Sequence, residues 1–151
     1  MKNSAIPSPA FSRPADQANL DTFQAVWTPR VLSLLRFMGG LLILQHGLQK
    51  VFGLFGGPQL QVTTFMGFGG ALELLGGILL VPGLFTRPAA FILAGETAVA
   101  YFMEHAPHGF VPIQNKGELA IAYCFIYFFL AFAGGGSLSL DALASRRARQ
   151  D

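Results

Sequence analysis

Apolar residues gather in four long runs along this chain, and each run is bounded by residues that start or stop helices. The first begins at Val31 and reaches about Leu54, behind Thr28-Pro29, a cap followed by proline at the first helical position. Trp27 stands where an interfacial aromatic would anchor that span. The second runs from about Gly67 to Phe85, and a third follows Thr86-Arg87-Pro88, again a cap-then-proline signal, to end near Met103. Asn115-Lys116-Gly117-Glu118 has capping-box spacing and opens the fourth, which covers residues 119–133 and stops at Gly134-Gly135-Gly136. A crossing helix needs roughly 17–25 residues, and each run is near that length. The pattern predicts an all-α polytopic membrane protein, a four-transmembrane-helix bundle over residues 28–138. Residues 1–27 read as a disordered polar arm, and residues 139–151 as a cytoplasmic tail carrying a short amphipathic helix capped by Ser139.

The charged residues orient the bundle. With four spans both termini share a side, and Lys2, Arg13, Arg30, Arg87, Arg146, Arg147 and Arg149 fall there, seven of the ten basic residues. The positive-inside rule makes that side cytoplasmic. The polar lead before the first apolar run is too long for a signal peptide, so the first span would act as the membrane signal. Composition agrees: 12% of residues are charged, about half the soluble average of about 25%. A formal charge of +2 is too small to suggest a nucleic-acid partner, and the basic residues are not clustered with aromatics. Cys124 is the single cysteine, so neither an intrachain disulfide nor a CxxC pair exists. The doublets Gly39-Gly40, Gly69-Gly70 and Gly76-Gly77, with Gly83, would let helices approach closely.

Candidate chemistry lies in the polar residues inside the apolar runs. All four glutamates, Glu73, Glu96, Glu104 and Glu118, sit within or at the edge of them. A carboxylate placed in hydrocarbon costs roughly 2.5–3.5 kcal/mol, so each needs a partner, water or a task. His46, Gln49 and Lys50, at i, i+3 and i+4, share one face of the first span. In the predicted orientation they occupy its outer half, together with Glu73 and Glu118, while Glu96 lies near mid-depth. These six form a candidate intramembrane polar or proton site, with His105, His108 and Asn115 as outer-loop polar residues. The uneventful readings are a snorkelling Lys50, a capping Glu118, a packing His46 and a solvated Glu104. Arg36 is near enough to the cytoplasmic side to snorkel and is left out of the site. His105-x-x-His108 lacks the spacing of a strong zinc signature, and only His46 lies well inside a span, so metal and haem are both disfavoured. Phe125, Phe128, Phe129 and Phe132 face lipid or else line a quinone-like pocket.

Several stretches together resemble the DoxX family of small four-span bacterial membrane proteins. They are Arg36…Gly40, His46-Gly47-Leu48-Gln49-Lys50-Val51-Phe52-Gly53, Gly70…Glu73-Leu74-Leu75-Gly76-Gly77 and Gly83-Leu84-Phe85-Thr86-Arg87. Ala100-Tyr101-Phe102-Met103, His105-Ala106-Pro107-His108-Gly109-Phe110, Asn115-Lys116-Gly117-Glu118 and Ser139-Leu140-Asp141 continue the match. The resemblance implies an inner-membrane bundle linked to quinone-coupled sulfur oxidation or to membrane oxidative-stress complexes. It leaves the cofactor open, with a quinone as the candidate, and offers membrane or peripheral redox subunits, or a homo-oligomer, as candidate partners in the bilayer. Whether such a subunit is itself an enzyme stays open. The alternatives are a non-catalytic assembly protein that recruits partners and a small transporter.

Overall fold

A computed structural model describes residues 15–150, which are helical and without strands among the described residues. Helix α1 spans Ala15–Phe52, α2 Phe65–Leu80, α3 Thr86–Ala100, α4 Pro112–Asn115, α5 Glu118–Ala133 and α6 Leu140–Arg147. A 3₁₀ turn, Leu54–Gly56, follows α1, and α3 runs on through a π turn, Tyr101–His105, into a second 3₁₀ turn, Ala106–His108. Among the described residues, α1 alone is long and apolar enough to cross a membrane, while α2 and α5 are shorter apolar helices.

Two helix starts differ from expectation. Pro29 lies inside α1 instead of opening it, so residues 15–27 are helical and not part of a disordered arm; residues 1–14 lie outside the described residues. Extending an existing helix requires no new nucleus, and the bond that Pro29 removes lies on an exposed stretch where solvent can replace it. Thr86 is the first residue of α3 and not its cap. The acceptor comes instead from Asp141, whose two carboxylate oxygens take the N–H groups of Phe85 at 2.9 Å and Thr86 at 2.8 Å. Helix α2 ends before Phe85 because Pro82-Gly83 turns the chain. Gly83 adopts φ 74°, and bonds from Gly83 N to Leu80 O and from Leu84 N to Leu79 O form a Schellman motif. Ser139 caps α6 as expected, accepting the N–H of Ala142 at 3.1 Å.

Glycine doublets set the packing. Helix α2 lies between α1 and α3, and each doublet presents one residue to either side. A Cβ on Gly70 would stand 2.6 Å from Lys50 Cβ, and one on Gly77 2.7 Å from the Leu44 backbone, both on α1. A Cβ on Gly76 would stand 2.7 Å from Leu93, and one on Gly69 3.1 Å from the Glu96 carboxylate, both on α3. Helix α1 answers with Gly40 against Leu80 and Gly47 against the Leu74 backbone. Gly39, the other half of its doublet, faces Tyr127 on α5, whose hydroxyl donates to the Gly39 carbonyl at 2.9 Å. Small residues at two-turn intervals therefore hold α1 and α2 at backbone contact in antiparallel register. Helices α3 and α5 form a second close pair, and α2 against α3 joins the two.

Arg36 closes one end of the bundle. It is 3% exposed, so it does not snorkel outward as expected. Its Nε donates to Gly135 O at 3.0 Å, Nη1 to the carbonyls of Leu80 and Val81, and Nη2 to Leu138 O at 2.9 Å. Leu80 and Val81 end α2, where carbonyls lack helical partners and the helix dipole favours a cation. Phe125, Phe128, Phe129 and Phe132 are all exposed, as are Leu75, Ile78 and Phe91, giving the bundle an apolar outer surface.

Gly77→Leu should force α1 and α2 apart, at a cost of about 1–3 kcal/mol, seen as a lowered unfolding midpoint in detergent. Gly95→Ala is the control, because a Cβ there meets nothing within 4 Å. Its midpoint should stay level or rise slightly.

Candidate functional site

At the end of the bundle opposite Arg36, the two helix pairs separate around a cavity of about 720 Å³. Its walls come from α1, α2, α3, α5 and the π turn, and are mainly apolar, with Phe65, Phe68, Phe91 and Ile92 on one side. Lys50 and Glu73 lie within it. Lys50 Nζ stands 2.8 Å from Glu73 Oε1, with the two side chains 22% and 6% exposed. Close seating of Lys50 on Gly70 brings the ammonium to that position, because the lysine stem follows the α2 backbone where no Cβ intervenes. Glu96 enters from α3 beside Gly69, within electrostatic reach of both Glu73 and Lys50. One oxygen of each carboxylate, Glu73 Oε2 and Glu96 Oε2, is buried without a hydrogen-bond partner among the described residues.

Aromatic groups complete the interior. His46 meets Tyr123 edge-on, with centroids 6.1 Å apart and planes at 82°, and Tyr123 stacks on Tyr127 at 5.6 Å. Glu104, His105 and Lys116 also line the cavity, with Glu104 and Lys116 exposed. Glu104 and His105 both belong to the π turn, a wider winding that often occurs at functional sites. The His105 ring stacks on Tyr101, and Nδ1–H donates to Asn115 O at 3.0 Å.

The candidates named from sequence divide. His46, Lys50, Glu73 and Glu96 meet in the cavity, and His105 lines it. Gln49 does not join them: its side chain packs against Gly57, where any Cβ would overlap it, and so supports the loop after α1. His46 and Lys50 are four residues apart and overlie each other, whereas Gln49 is one 100° step away from Lys50. Glu118 also lies outside the cavity lining, exposed in the first turn of α5, where a carboxylate complements the helix dipole. No capping box links it to Asn115. Gly117 is the N-cap, and Asn115 Oδ1 accepts the Gly117 N–H at 2.8 Å. Buried Asn115 also donates through Nδ2 to Gly109 O at 2.6 Å, which makes it a loop organiser. His108 is exposed, its Nδ1–H donating to Glu104 O at 2.9 Å.

Tyr123 and Glu104 were not among the predicted site residues. Tyr123 had a signal in the spacing of Tyr123 and Tyr127, a polar stripe at i, i+4 within an otherwise apolar helix. Glu104 stands out as a carboxylate at the edge of an apolar run but reads as solvated, because the π turn that brings it to the cavity is not encoded by an apolar period.

With an all-helical fold and a polar cluster inside it, comparison with known proteins fixes the class. The DoxX family model matches residues 31–106. The chain belongs to the DoxX family, and is a membrane protein. An uncharacterized protein of Haemophilus influenzae is 39% identical, over 76% of this chain and 91% of that protein. No solved structure matches.

Lys50→Met should leave the Glu73 charge buried and alone, destabilising the fold by about 3–5 kcal/mol. Adding Glu73→Gln to that variant should recover much of the loss. A double-mutant cycle read from unfolding midpoints measures the coupling.

Proposed function

We propose that this protein is a membrane subunit of a redox or oxidative-stress system and holds a quinone-like amphiphile in the cavity between its helix pairs. One observation carries the reading: an apolar chamber of about 720 Å³ contains an ion pair and a second carboxylate, Lys50–Glu73 and Glu96. Ligand pockets typically enclose about 300–1,000 Å³, with apolar walls and a few convergent polar groups. The aromatic walls suit a ring. Phe68 and Phe91, exposed at its margin, offer an apolar path for a tail. Within this reading His46 and Lys50 orient the polar head, and Glu73 and Glu96 manage protons. Gln49 and Glu118 fall outside it. Electrons would come from a partner subunit.

The proposal includes four crossings of a bacterial inner membrane, by α1, α2, α3 with its π and 3₁₀ continuation, and α5. Helices of 16 residues, such as α2 and α5, rise about 24 Å, so their loops or a thinned bilayer would complete the crossing. The basic residues favour cytoplasmic termini, with Arg36 at the inner end and the cavity at the outer.

Purified protein in mild detergent should carry extractable quinone. Gly95→Phe, which fills open space at the cavity wall, should lose it while keeping the wild-type unfolding midpoint. Quinone absent from the wild type in every mild detergent, or retained equally by Gly95→Phe, would overturn the reading.

A further inference from the structure

We infer that the cavity selects the reduced, hydrogen-bond-donating form of its occupant, a neutral dihydroxyaromatic head in place of a quinone. The inference rests on the amphiphile site proposed above and deepens it. Its basis is an imbalance of donors and acceptors. Glu73 gives one oxygen to Lys50 at 2.8 Å, and its other oxygen is buried without a partner. Glu96 presents a second partnerless buried oxygen in the same cavity. An ionised carboxylate only accepts hydrogen bonds, and leaving a buried acceptor unmet costs the full desolvation of that oxygen. A head that brings donors would satisfy both of these oxygens.

A quinone head brings none. Its carbonyl oxygens are acceptors, and against Glu73 Oε2 or Glu96 Oε2 they would set like partial charges together. A hydroquinone or catechol carries two O–H groups, one for each open oxygen. An ammonium head is also a donor, but its charge would have to shed its water to enter a mainly apolar cavity, a cost that a neutral head avoids. The aromatic neighbours point the same way, since His46 and Tyr123 meet edge-on in the cavity wall and suit a flat ring. Binding the reduced form more tightly than the oxidised form would make the bound couple easier to reduce than the free one.

The test compares three decyl-tailed probes on the purified full chain in detergent, without oxygen: a hydroquinone, the matching quinone and the hydroquinone dimethyl ether. The ether keeps ring and tail and loses both donors. The hydroquinone should bind about tenfold or more tighter than either of the others, the usual range for a hydrogen bond to a charged group. Glu96→Gln introduces an amide N–H and should shrink that preference by strengthening quinone binding. Should this variant not fold, Gly69→Ala serves, because its Cβ would stand 3.1 Å from Glu96 Oε1 and press that carboxylate aside by a few tenths of an ångström, enough to misalign a hydrogen bond to it. Equal affinity for hydroquinone and ether, or a preference unaltered in the variants, overturns the inference and leaves the amphiphile site standing. Failure of all three probes to bind overturns both.

Discussion

The close approach of α1 to α2 is the constraint on which the site depends. Lys50 reaches Glu73 because Gly70 lets the lysine stem lie on the α2 backbone, and the same register places Gly47 against Leu74 and Gly77 against Leu44. A side chain at any of these glycines would widen the gap by the thickness of a methyl group or more, and would move ammonium from carboxylate. The second residue of each α2 doublet performs the matching task toward α3, where Gly69 admits the Glu96 carboxylate. Packing and chemistry are therefore the same feature: the glycines that allow helices to touch also decide which charges meet.

The two ends of the bundle are built on opposite principles. Around Arg36 every guanidinium nitrogen donates to a backbone carbonyl, and Asp141 and Ser139 cap the neighbouring helices. At the cavity end, by contrast, two carboxylate oxygens remain unmet among the described residues, and the helix pairs diverge. At the Arg36 end the guanidinium is fully bonded, and the Thr86 hydroxyl is the polar group left buried without a partner among the described residues, whereas at the other end it is carboxylates that stay open. Such partition is how a small fold retains polar groups in an apolar interior without collapsing onto them.

Much of this was legible in the sequence, for identifiable reasons. The long helices follow from apolar runs, and the glycine doublets stand out because size alone determines what they do. His46, Lys50, Glu73 and Glu96 were recognisable as ionisable or polar groups inside long apolar runs. What failed was local inference applied where a distant residue decides. Thr86 resembles a cap, but Asp141, 55 residues away, supplies the acceptor. Pro29 resembles a helix start, but an exposed helix can run through it at the cost of a backbone hydrogen bond. Gln49 and Lys50 differ by one residue in sequence and by one neighbour in space, and that neighbour, Gly57, lies in a loop whose path no periodicity encodes.

The π turn at Tyr101–His105 has a consequence for the geometry of everything beyond it. Such a turn holds more residues than an ordinary helical winding, which amounts to a single added position in the chain. Restoring ordinary winding by removing one residue there would rotate the following segment by about 100°. Glu104 or His105 would then swing away from the cavity rim, although no atom of either had changed. The reach of this rim is thus a property of chain length, adjustable by one codon without altering any functional group.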